Sequence, residues 1–117
     1  MKFIISFFWI CSILLGSQLY NKGEYIFFAK SCSSCHGPEA KGTTTAPKLA
    51  HKKQTYLLQR LQNFKAGKVY TQKQEMMSQF VQKLSNDDLK ALSIFLSEIK
   101  EKKTPEVADD LLGGFGS

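Results

Sequence analysis

The run Cys32-Ser33-Ser34-Cys35-His36 constrains this chain more than any other feature. Two cysteines with two residues between them lie on one helical turn, where each thiol can add across one vinyl group of a haem. The histidine that follows at once is then placed under the iron as its proximal ligand. The order of the residues carries this chemistry as much as their identity. A chain with such a site has to fold around a large flat apolar group, and the group points to electron transfer.

The 117 residues have room for one domain. The first stretch stands apart from it: Met1-Lys2 is a minimal charged start, Phe3 to Leu15 is almost wholly apolar, and Gly16 and Ser17 are small, as at a secretory cleavage site. Residues 1–17 are therefore expected to be a signal peptide, cut near Ser17, with 18–103 as the domain. The apolar run is short of the about 20 residues a spanning helix needs, and the rival is an uncleaved anchor from Phe3 to Tyr20. Lipidation of Cys11 is disfavoured by the bulk of Trp9 and Ile10, so Cys11 is read as a filler that leaves with the signal.

Export would place the domain where cysteines commonly pair. Here the only two cysteines beyond Cys11 are those of the motif, and thioether bonds would consume both. The formal net charge is +6, and +5 once Lys2 is gone. The lysines spread from Lys22 to Lys103, with a knot at Lys48, Lys52 and Lys53. They are too dispersed for a nucleic-acid stripe. A basic face that steers docking onto an acidic redox protein and a generally lysine-rich surface are both compatible with them.

Periodicity predicts a small all-α domain. A first helix is expected from Asn21 to about Ser31, with Tyr25, Phe27 and Phe28 as its apolar positions, and Gly23 marks a place where another helix can approach. Gly37, Pro38 and Gly42 break the pattern, and Thr43 to Ala46 reads as loop. A second helix is expected from Gln54 to Ala66, with Tyr56, Leu57, Leu61 and Phe64 on one face and Gly67 as its stop. Val69 to Glu75 reads as a polar connector. Ser85 and Asp88 resemble a capping box opening a last helix, whose stripe is Leu89, Leu92, Phe95, Leu96 and Ile99. Lys100, Lys102 and Lys103 suit its C-terminal end, and Thr104-Pro105 is expected to stop it. Residues 104–117 have little to pack and read as a flexible tail. About 80 ordered residues seldom bury enough apolar surface alone, so the composition itself calls for a cofactor.

A haem needs two axial ligands. His36 is the first, and its other ring nitrogen needs an acceptor, for which the carbonyl of Pro47 is the candidate. The opposite ligand has three candidates: Met76, Met77 and His51. The two methionines stand side by side between helical segments. His51, beside Lys52 and Lys53, reads as a solvated loop histidine.

From Tyr20 to Glu101 the chain resembles a class I c-type cytochrome of the small bacterial monohaem kind. Cys32 to Gly37, continuing to Ala40 and Gly42, resembles the family's haem-binding run, and Pro47-Lys48-Leu49 its proline-x-leucine loop. Tyr56-Leu57, Leu61, Phe64 and Gly67 resemble its middle helix. The resemblance implies the cytochrome c fold, three main helices plus short helical segments around one covalently bound haem c with its iron. It further implies that the proline carbonyl supports the proximal histidine, and that the methionine ligand precedes the Leu84-Ser85 pair by seven residues, which is Met77 rather than Met76. Gly23 and Phe27 would cross the last helix near Phe95. His51 and Lys52 depart from the glycine and glutamine common in the family, and Val69 from a frequent arginine.

The implied function is that of a periplasmic one-electron carrier with His/Met ligation and no catalysis. Its partners would be a redox donor and acceptor with an acidic docking face, with no nucleic acid, membrane contact only through an uncleaved signal, and a monomeric state. The alternative is a haem subunit of a periplasmic oxidoreductase complex, for instance one oxidising sulfur compounds. A dithiol of the thioredoxin kind lacks its βαβ context here. A zinc site lacks four ligands, since Cys35 and His36 are adjacent and His51 is the one remaining histidine. A haem enzyme would need the methionine displaced.

Overall fold

In the computed structural model, residues 2–100 are described, with side chains from Leu15 onward. They form five helices, α1 (Lys2–Ala29), α2 (Cys32–His36), α3 (Gln54–Lys65), α4 (Gln72–Val81) and α5 (Asn86–Glu98), and no strand occurs among the described residues. The expected all-α class is what the chain adopts. The expected flexible tail and the expected Pro105 stop lie outside the described residues.

The core is the crossing of α1 with α5. Phe27 is fully buried and its ring centroid lies 5.6 Å from that of Phe95, while Tyr20 meets Phe95 edge-on at 5.2 Å. Gly23 makes the close approach possible. A Cβ built there would stand 2.1 Å from the carbonyl oxygen of Ala91 and 2.7 Å from the Phe95 Cβ. Around this crossing Leu57 and Leu61 of α3 join Val81, Leu84, Leu89, Leu92 and Leu96 in one apolar cluster.

Helix α5 starts as its sequence predicts. The Ser85 side chain accepts from the Asp88 N–H at 3.1 Å and the Asp88 carboxylate accepts from the Ser85 N–H at 3.0 Å, a complete capping box. The Ser85 N–H holds the Asp88 carboxyl below its ordinary range, helped by the Lys22 ammonium of α1 at 3.3 Å. A carboxylate with a lowered folded value adds stability above its ordinary value and loses it as pH falls through the lowered one. Ser85→Ala should therefore cost about 1 kcal/mol near neutral pH in a denaturant titration. The stability gap between the natural chain and Asp88→Asn should close below about pH 4.

Three expectations are corrected. The first helix begins at Lys2 rather than Asn21, because Gly16 and Ser17 do not interrupt the helical backbone that runs through the apolar segment. Among the described residues no helix is long and apolar enough to cross a membrane. From Gln72 on, the stretch read as a connector belongs to α4, capped by Thr71, whose hydroxyl accepts from the Gln74 N–H at 3.2 Å, so both methionines lie within a helix. Finally, α5 ends at Glu98, ahead of the lysines, where Ile99 turns extended at ψ 125°.

Candidate functional site

Helix α2 is one turn of chain between two residues of positive φ, Ser31 at φ 62° in the left-handed helical region and Gly37 at φ 87° with ψ 158°. That turn sets Cys32 and Cys35 about one helical turn apart and puts His36 at its end. Cys32 is half-buried and Cys35 exposed, and neither is in a disulfide. Burial pushes the Cys32 thiol up from its ordinary range. The His36 side chain is buried at 7 % exposure, and its Nδ1–H donates to the Pro47 carbonyl at 2.8 Å. A carbonyl only accepts, so the proton is on Nδ1 and the Nε2 lone pair is left for a metal.

Pro47 can serve as that acceptor because its loop is closed on the motif. The Gly42 N–H donates to the His36 carbonyl at 2.9 Å, and the Thr43 hydroxyl to the Cys35 carbonyl at 2.6 Å, which satisfies two orphan carbonyls at the end of α2. Ala40, buried with φ 54°, accepts from the N–H groups of Leu49 and Ala50 at 2.9 and 3.0 Å. Gly42, at φ 87°, leaves no room for a side chain: a Cβ would stand 2.7 Å from the Lys48 nitrogen. The far end of the loop is tied to α5. His51 donates its backbone N–H to the Leu96 carbonyl and its ring Nε2–H to the Ile99 carbonyl, at 2.9 and 2.8 Å.

His51 was expected to be a solvated loop histidine. It is exposed, but it caps the C-terminus of α5 and fastens the Pro47 loop there, so its ring is engaged. Nothing in the sequence signals this role, since it depends on a partner far along the chain. Thr43 was missed for a similar reason, its hydroxyl being one of three consecutive threonines.

The structure brings Cys32, Cys35, His36 and Pro47 into one constellation. Met77 belongs to a separate one. Helix α2 packs against α1, whereas α4 packs against α3, and α2 and α4 make no contact with each other. On α4 the side chain of Met77 is packed against the apolar cluster, while Met76, about 100° away around the helix, is 55 % exposed.

The donor set fits a c-type haem. Two thiols not paired with each other precede a histidine whose ring is held in the tautomer that presents Nε2, and a thioether sulfur sits on an element separate from α2. No group of three or more His, Cys, Asp or Glu side chains suited to a bare metal ion occurs among the described residues.

Comparison with known proteins agrees. A family model described as cytochrome c matches residues 20–100. The chain is 31% identical over 84 residues to cytochrome c4 of Azotobacter vinelandii, covering 69% of this chain and 40% of that protein. It is 30% identical over 84 residues to cytochrome c4 of Pseudomonas aeruginosa, covering 69% and 42%. Cytochrome c-552 of Acidithiobacillus ferridurans is 26% identical over 84 residues, covering 72% and 35%. The chain thus spans less than half the length of the curated relatives it matches.

Proposed function

This chain belongs to the cytochrome c family, and we propose that it is a periplasmic one-electron carrier whose haem is held by Cys32, Cys35, His36 and Met77. A cytochrome c domain implies one covalently bound haem c with its iron; when bound, that group supplies reversible exchange of a single electron between ferric and ferrous states. The chain's own residues do the rest. Cys32 and Cys35 supply the two thioether sulfurs, and His36 supplies Nε2.

The observation that carries the reading is the bond from His36 Nδ1–H to the Pro47 carbonyl at 2.8 Å. It fixes the ring's tautomer and orientation, as second-shell acceptors do for metal-ligating histidines. Burial of that ring keeps water from competing for Nε2. The inward packing of Met77 and the exposure of Met76 support Met77 as the opposite ligand. With His36 and Met77 both holding the iron, no ligand position would be left for a substrate, which supports a carrier over an enzyme.

The export reading rests on the apolar run from Phe3 to Leu15, with cleavage near Ser17 and a domain of residues 18–103. The partners are a donor and an acceptor protein with acidic docking faces, in contacts that are small and transient. The exposed Lys68, Lys73 and Lys83 on and beside α4 support that charge preference.

The test is a visible spectrum of protein made with haem-maturation machinery, before and after acid-acetone extraction. Haem should stay with the protein, and the sulfur-to-iron band of the ferric form should persist in Met76→Ala and vanish in Met77→Ala. Extractable haem would sink the attachment reading. A band lost only in Met76→Ala would move the ligand by one residue.

A further inference from the structure

Helix α4 is held in place in an unusual way for an element that carries a ligand. Of its ten residues only Ser78 and Val81 are buried, whereas Met76 and Phe80 are 55 % and 49 % exposed. A single buried valine and a half-buried methionine are a thin apolar anchor. The helix is fastened instead by side chains that reach the carbonyls ending α3. The Ser78 hydroxyl donates to the Phe64 carbonyl at 2.6 Å. The Gln82 side-chain amide donates to the Lys65 carbonyl at 2.9 Å and lies 3.4 Å from both the Phe64 carbonyl and the Ser78 hydroxyl. In return the Lys65 ammonium donates to the Leu84 carbonyl, just beyond the end of α4.

We propose that Ser78 and Gln82, clamped to the end of α3, are positioning residues that set how firmly Met77 stays on the iron. The inference rests on the reading of Met77 as an axial ligand. Ser78 is the next residue to Met77, so its bond fixes the rotation of α4 at the position that matters. Gln82 is one turn further on and fixes the helix's height along α3. The clamp takes the last carbonyls of α3 as its acceptors, that of Phe64 also receiving the Gly67 N–H at 3.1 Å. Neither residue touches the iron; both act through Met77.

An iron–methionine bond that opens and recloses admits a competing ligand only in its open state. The apparent affinity for that competitor is its intrinsic affinity scaled by the open fraction. Loss of one neutral hydrogen bond from the closed arrangement should raise the open fraction about 3- to 10-fold. The experiment is an imidazole titration of the ferric holoprotein, read by its absorption spectrum, on the natural chain and four variants. Ser78→Ala and Gln82→Ala should each bind imidazole about 3- to 10-fold more tightly, and Met77→Ala more tightly still. Gln54→Ala serves as the reference for general loosening. It removes a bond of similar kind, from Gln54 to the Ser93 hydroxyl at 3.0 Å, between α3 and α5 and away from α4.

Gln82 is exposed, so its variant should fold even if the buried Ser78 does not tolerate change. Ser78→Ala and Gln82→Ala binding imidazole like the natural chain, beside a tighter Met77→Ala, would overturn the clamp and leave Met77 as ligand. Equal tightening in Gln54→Ala would also overturn it, since the effect would then be unspecific. A Met77→Ala variant no tighter than the natural chain would remove Met77 as ligand, and the clamp with it.

Discussion

Gly23→Ala should lower the unfolding free energy of the holoprotein by about 3 kcal/mol or more. Two effects of opposite sign compete at this position. Alanine is the better helix former by about 1 kcal/mol, and at a mid-helix site that alone would stabilise. Here the new methyl would stand 2.1 Å from the Ala91 carbonyl oxygen and 2.7 Å from the carbonyl carbon, and neither backbone atom can rotate away. Helices α1 and α5 would have to separate, loosening the contacts of Phe95 with Phe27 and Tyr20. Steric cost wins. Against a total of about 5–15 kcal/mol for a domain, the loss is large enough to show as a drop in both denaturant midpoint and yield. A variant as stable as the natural chain would mean that the α1–α5 crossing is not the seat of stability.

Removing both motif thiols, as Cys32→Ala with Cys35→Ala, should abolish covalent haem altogether. Each single variant should retain it through the remaining bond. The contrast matters because the axial ligands alone would still hold haem reversibly. Acid and denaturant would release a haem held only by protein ligands, whereas a thioether survives both. A haem-dependent peroxidase stain on a denaturing gel should therefore be positive for both single variants and blank for the double one. Stain in the double variant would place the attachment elsewhere. The two sulfurs are not equivalent, since Cys32 is half-buried with its thiol pushed up by burial while Cys35 is exposed.

Which parts of this architecture could be read from the chain follows from the range of the interactions. The motif was legible because its chemistry is local: five consecutive residues state the cofactor. Helix α5 was legible because a capping box and a stripe of period 3.6 are also local, and every residue named in that stripe is buried. Gly23, Phe27 and Phe95 were legible through family resemblance, which stores a long-range contact as a short pattern. Helix α4 was not, because Gln72 to Glu75 is polar and its burial consists of one serine and one valine. Its stability lies in hydrogen bonds to α3 that no periodicity encodes. The role of His51 was hidden for the same reason, with an acceptor 48 residues away. The start of the first helix was set too late because small residues at 16 and 17 suggest a processing boundary, which is a signal to an enzyme rather than to the backbone.

The bonds from His51 to Leu96 and Ile99, and from the Lys100 N–H to the Tyr20 hydroxyl at a separation of 80 residues, make the end of α5 the keystone of the molecule. A chain emerging N-terminus first presents its two thiols long before residues 96–100 exist to fasten the Pro47 loop or receive Tyr20. Contacts so distant in sequence form late. The attachment segment therefore passes through a period when it is an unbuttressed strand of peptide, open to whatever machinery loads it. Docking of the last helix does not cover the thiols, since Cys35 stays exposed and Cys32 half-buried; what it adds is a fixed place for the loop that holds His36.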